Sequence, residues 1–179
     1  MTKKIITVLV ITCLLGLLVL YIKRGGLVMP QISKVQTLPF YMIATSYKGM
    51  IAKKEQGAIL RDKIRQTHEY IDSGKLQGTL TLVYEGNPDQ AKDSIQAYIG
   101  VIVADSVAMA MPKGYEIRHF EAMRVVRAEI KAHVSVAPNP AKINEMLRDF
   151  ARKSGLTLQD RHIEKYISEE HIISEIMVK

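Results

Sequence analysis

The clearest chemical grouping lies between Gln159 and Ser168, where His162, Glu164 and Tyr166 alternate with Ile163 and Ile167. In an extended strand, residues two apart share a face, so an imidazole, a carboxylate and a phenol project to one side. Ile163 and Ile167 fall on the other side and are expected against the helices of the domain. Three such groups on a rigid element can fix a polar or cationic guest. A merely solvated strand face has the same alternation, so periodicity leaves both readings open. His162 with Glu164 could hold a metal, but two ligands without a third at recognisable spacing are a weak signal. His68, His119, His133 and His171 show no convergent motif. Tyr41, Tyr47, Tyr84 and Tyr98, with Met42, Met109 and Met111, are equally suited to a pocket wall and to a core. The sequence has no nucleophile constellation, phosphate loop or cofactor motif. No catalytic residue, metal or cofactor is therefore assigned.

The elements that must position these residues follow from periodicity and punctuation. A strand is expected over Phe40 to Tyr47. A helix follows from Lys54 to Asp72, with Leu60, Ile64, His68 and Ile71 on one face and Ser73-Gly74 ending it. Strands over Gln77 to Tyr84 and Ile95 to Val103 come next, joined by the turn formers Glu85-Gly86-Asn87-Pro88-Asp89. The second half opens after Pro112-Lys113-Gly114 with a strand over Met123 to Ala132. Asn139 then suits an N-cap and Pro140 the first helical position. Ile143, Met146, Leu147, Phe150 and Ala151 form an apolar stripe that ends at Ser154-Gly155. Strands over Gln159 to Ser168 and His171 to Val178 close the chain.

Both halves thus run strand, helix, strand, strand, and each helix-ending Ser-Gly precedes a tyrosine, Tyr84 or Tyr166, on the next strand. The expected fold is α+β: two duplicated β-α-β-β units forming an antiparallel sheet around a pseudo-twofold axis, with both helices on one face. Aligning Tyr84 with Tyr166 sets Leu82 against Glu164, so only one half carries the carboxylate.

Residues Ile5 to Ile22 contain no charge and are long enough as a helix to cross a bilayer core. Lys3 and Lys4 flank the run on one side and Lys23 and Arg24 on the other, with Tyr21 where an interfacial aromatic is favoured. A secretory signal peptide is the competing reading, but Leu-Tyr-Ile-Lys-Arg-Gly-Gly offers no Ala-x-Ala-like cleavage site. The expected organisation is a transmembrane anchor over 1–24, a connector over 25–36 and a domain over 37–179, on the non-cytoplasmic side of the membrane. The formal charge of +7 overstates the basicity of that domain. Lys3, Lys4, Lys23 and Arg24 belong to the anchor, leaving 21 Lys and Arg against 18 Asp and Glu. That balance gives no nucleic-acid footprint. Cys13, the single cysteine, lies in the apolar run, so the domain has no disulfide and no thiol nucleophile.

Leu38-Pro39-Phe40, Ala97-Tyr98-Ile99-Gly100-Val101, Met111-Pro112-Lys113-Gly114-Tyr115-Glu116 and Ile163-Glu164-Lys165-Tyr166-Ile167, in this order around two helices, resemble a GyrI-like effector-binding domain. The resemblance covers nearly everything after the connector. It implies an aromatic-walled cleft whose buried glutamate attracts lipophilic cations, with Glu164 and Tyr166 as cleft residues. His133-Val134-Ser135-Val136-Ala137-Pro138 replaces a His-Gly-Pro-Tyr-like stretch common in the family, so one cleft wall is expected to differ. The sequence shows no DNA-binding domain, which removes a transcription-factor role. The leading expectation is a membrane-anchored, non-enzymatic small-molecule-binding module using Glu164, Tyr166, Tyr84 and His162. The alternatives are a hydrolase of reactive small molecules, with Glu164 as general base, and an adaptor that holds a protein segment in its groove.

Overall fold

The computed structural model describes residues 2–86, 94–103 and 111–179, with side chains from Ile5 onward. The expected turn residues Asn87, Pro88 and Asp89, and Met109, lie outside the described residues. Helix α1 (Thr2–Lys23) has no charged side chain and no polar face from Ile5 to Ile22. Its segment Ile5–Lys23, 19 residues of mean hydropathy 2.9, is long and apolar enough to span a membrane, and none of it is buried in the protein.

The remaining elements are β1 (Gln31–Gln36), β2 (Phe40–Gly49), α2 (Lys54–Asp72), β3 (Thr79–Glu85), β4 (Ile95–Val103), β5 (Glu116–Phe120), β6 (Arg124–Ile130), α3 (Pro140–Lys153), β7 (Leu158–Ser168) and β8 (His171–Val178). Eight strands form one antiparallel sheet in the order β1-β6-β8-β7-β3-β4-β2-β5. The fold is α+β, as its periodicities require. Outward from the central β7–β3 pair, β8 and β6 on one side answer β4 and β2 on the other, which is the arrangement a duplicated unit gives. The central register places Leu82 directly opposite Glu164, with Tyr84 beside His162 and Leu80 beside Tyr166.

Two strands fall where none was expected. Gln31–Gln36, within the anticipated connector, pairs with β6, and Glu116–Phe120 pairs with β2. Each is the first strand of its half in chain order, and each lies against the other half. The segments that carry the chain across meet on the helix-free face. Thr37 N–H donates to Met123 O at 2.8 Å, and Met123 N–H donates to Thr37 Oγ1 at 3.0 Å. Both new strands are short and lack clean alternation, so local pattern alone does not mark them.

Both helices cover the same face. Leu60, Ile64 and Ile71 of α2 pack on Leu80, Leu82, Ala97 and Ile99, while Ile143, Leu147 and Ala151 of α3 pack on Val126, Ala128, Ile130 and Ile176. Asn139 caps α3 as expected, its Oδ1 accepting from Lys142 N–H at 2.8 Å. Gly74 and Gly155, following the last turns of α2 and α3, take φ of +73° and +66°, a region costly for residues with a Cβ.

The opposite face is not open to solvent. The sheet rolls so that Lys165 of β7 lies 5.5 Å over the ring of Phe40 on β2, and Arg161 lies 5.9 Å over Phe120 on β5. Met42, Val83, Phe120, Met123, Val125 and Ile163 fill this side. Glu175 is fully buried there. Its Oε1 accepts from Arg127 Nε at 2.7 Å and faces Arg127 Nη2 at 2.6 Å, while Lys165 Nζ lies 2.9 Å from Oε2.

Candidate functional site

Beneath the gap between α2 and α3 the sheet carries a cavity of about 800 Å³. Leu80, Leu82 and Tyr84 of β3 and Glu164 and Tyr166 of β7 contribute its sheet side. Ile64, His68, Ile71 and Asp72 of α2 form one wall, and Pro140 and Asn144 of α3 the other. Val134, Ile167, Ser168 and Glu169 line one end. The sheet side is dry at its centre, where Leu82 and Tyr84 are 2% and 7% exposed, whereas Val134 and Ile167 are 45% and 46% exposed.

This placement reverses one expectation. Ile163 does not face the helices: it packs against the rolled side of the sheet with Val83 and Met123, and Glu164 and Tyr166 look into the space between the helices. Alternation established which residues share a side, but both sides of β7 are covered, so hydrophobicity could not say which one bears the helices. Ile167 is also off the helix core, half-exposed at the end of the cleft.

Tyr84, Glu164 and Tyr166 therefore meet in one cavity. His162 lies on the same face, beside Tyr84, but is buried at 4% exposure and does not line the cavity. Tyr47 and Met42 belong to the core, while Tyr41 and Met111 are exposed. Tyr166 donates its hydroxyl proton to Glu164 Oε2 at 3.1 Å. Burial, reinforced by the Glu164 carboxylate and then by Tyr166, pushes the Tyr84 phenol well above its usual range. Burial first, then the charge of Glu164 and the hydrogen bond to it, also raises Tyr166. Both phenols are thus protonated at neutral pH, Tyr166 donating to the carboxylate and Tyr84 feeling its charge.

The sequence reading missed Asp72, Asn144 and Glu169 as lining residues. Asn144 carried a usable signal: it lies three residues before Leu147 and seven before Ala151, on the buried stripe of α3, and is itself 3% exposed. A polar residue on such a stripe faces either a partner or a cavity. Among the described residues, no group of three or more His, Cys, Asp or Glu could hold a metal ion. Three carboxylates, Asp72, Glu164 and Glu169, line the cavity without any lysine or arginine among the described lining residues.

No protein-family model matches the chain, and no curated protein matches its sequence. Solved structures do match in shape. SAV2435 bound to tetraphenylphosphonium superposes with a TM-score of 0.57 at 13% identity, over 83% of this chain and 94% of the other. The C-terminal domain of EcmrR superposes with a TM-score of 0.55 at 11% identity, over 84% of this chain and 98% of the other. The fold is that of the GyrI-like effector-binding domains. A hydrolase from Listeria innocua matches at a TM-score of 0.51 and 12% identity, over 89% of this chain and 98% of its own. Proteins of this shape thus include ligand-binding, regulatory and hydrolytic members.

Proposed function

We propose that the chain is a membrane-anchored GyrI-like module that binds a lipophilic cation without transforming it, in the cleft between α2 and α3. The observation that carries this reading is a single central carboxylate, Glu164, flanked by two protonated phenols in a largely apolar cavity whose described lining has no lysine or arginine. The cavity, about 800 Å³, falls in the size range of small-molecule sites. Tyr84 and Tyr166 offer ring surface to a cation, and Glu164 supplies the opposite charge. Tetraphenylphosphonium on SAV2435 supports the ligand class. Residues 1–24 form the anchor, 25–36 the connector that also contributes β1, and 37–179 the domain, which this reading sets outside the cytoplasm. The reading has no nucleic-acid component, because outside the anchor 21 Lys and Arg stand against 18 Asp and Glu, which leaves no strong basic footprint.

The test is calorimetric titration of the full chain in mild detergent with tetraphenylphosphonium and with tetraphenylborate, which share a shape and differ in charge sign. Saturable binding of the cation with much weaker binding of the anion is expected. Equal binding of the two would overturn the counter-charge role of Glu164.

Hydrolysis is the second reading, favoured by the Listeria innocua neighbour and by the Tyr166–Glu164 hydrogen bond, which could orient a carboxylate as a general base. Under it, Glu164→Gln abolishes turnover of a reactive electrophile while its binding persists.

A further inference from the structure

The cleft's exposed end coincides with the end of the domain to which α1 is fastened. The carbonyl of Arg24, one residue past α1, accepts from the His133 N–H at 2.9 Å, and Arg24 Nη1 donates to Ser135 Oγ at 3.3 Å. The next residue, Val134, donates its N–H to Glu169 O at 2.9 Å, and Val134 and Glu169 are both cleft-lining residues. The rim is therefore one Cα step, ~3.8 Å, from the backbone that holds the helix end. β1 begins at the same end, with Gln31 opposite Glu129. Apolar surface continues from α1 across this region: Leu27, Val28 and Met29 are 69%, 42% and 78% exposed.

We propose that the cleft opens onto the headgroup layer of the bilayer and draws its ligand, an amphiphilic cation partitioned at that surface, sideways from the membrane rather than from bulk water. This inference rests on the membrane-anchor reading of α1. Three features make the occupant of this face a bilayer. It is continuous with an apolar, unburied helix. It carries exposed aliphatic side chains at its rim. Lys23, Arg24 and Lys131 line a hollow at the same end that adjoins the cleft at Ser168, and are suited to lipid phosphates. A ligand with a cationic centre and an apolar body concentrates in that layer, which raises its local concentration at the mouth.

The test is depth-dependent fluorescence quenching on the full chain reconstituted in vesicles. In a Cys13→Ser background, single cysteines are introduced by Val134→Cys, Ile167→Cys and, at the opposite end of the sheet, Lys48→Cys, and are labelled with an environment-sensitive dye. Wild-type Cys13, labelled alone, reports the anchor. Nitroxide lipids carry the quencher either at the headgroup or deep in the acyl chain. Headgroup nitroxide is expected to quench both rim labels several-fold more than the Lys48 label, and deep nitroxide to quench the Cys13 label. Rim labels quenched no more than Lys48, with Cys13 still quenched, would overturn the membrane-facing mouth while leaving the anchor intact. An unquenched Cys13 would show that the anchor reading itself fails, and the inference with it.

Discussion

Glu164→Gln keeps the size of the side chain and its ability to accept from Tyr166, and removes the charge. The phosphorus of tetraphenylphosphonium, screened by its rings, approaches a carboxylate to ~6 Å, where two unit charges attract by about 3 kcal/mol at an effective dielectric of ~20. Glu164 is only half-buried, so part of that attraction is offset by hydration it surrenders to the ligand. The net loss on substitution is expected at about 1–2 kcal/mol, or roughly 5- to 30-fold in Kd. A neutral triaryl analogue should change by less than about twofold, because its contacts are with the rings of Tyr84 and Tyr166 and with Leu80 and Leu82. Tetraphenylborate should bind more tightly to the variant, since a like charge has gone. Calorimetric titration of the three ligands into wild type and variant measures all of this. Equal weakening of cation and neutral analogue would refute the argument, because it would mean that the substitution damaged the cleft's shape and that its charge was never felt.

Leu147→Ala should cost about 3 kcal/mol in denaturant unfolding, since Leu147 is fully buried between α3 and the sheet; a loss below 1 kcal/mol would mean that the site collapses around the gap. Arg127→Leu leaves the buried Glu175 with Lys165 alone and is expected to destabilise by about 3 kcal/mol, whereas an unchanged midpoint would show that water already reaches Glu175. Tyr84 and Tyr166 ionise near pH 10 when unfolded and only at higher pH when folded, so the unfolded state loses protons first and stability falls as pH rises above about 10. Ultraviolet phenolate titration checks it: if both tyrosines ionise near pH 10 with the fold intact, as judged against Tyr84→Phe and Tyr166→Phe, the burial argument fails. Asn139→Ala removes the cap of α3 and should lower stability by about 1 kcal/mol, read as a fall in Tm.

What the sequence disclosed and withheld follows from what local pattern encodes. The stripe Ile143-Leu147-Ala151, with Asn139 before it and Gly155 after it, defines α3 at both ends because helix periodicity and caps are properties of neighbouring residues. The duplicated order was legible for the same reason. β1 and β5 were not, since each is short, partly exposed and stabilised by a partner distant in the chain. Within the site, the two-residue spacing of Glu164 and Tyr166 put them on one side of β7, and the register confirms that Leu82 lies opposite Glu164. Which side faced the helices depended on the rolling of the whole sheet, which no strand records alone. Asp72 and Glu169 join the lining from the ends of their elements, where side-chain periodicity gives no guide.

The exchange of first strands between the halves also constrains how the chain can acquire its fold. β1 has its ladder partner in β6, ~90 residues further on, so at ~5–20 residues per second β1 waits on the order of 5–20 s during synthesis before it can pair. Closing so long a loop also makes this pairing a late and slow event compared with formation of either helix. Through that interval β1 is an unpaired edge next to an apolar helix, a situation that invites association between nascent chains. Its composition answers the hazard: Gln31, Ser33, Lys34 and Gln36 leave only Ile32 and Val35 as apolar side chains. The polarity that hid this strand from a pattern-based reading thus also disfavours association between half-made chains.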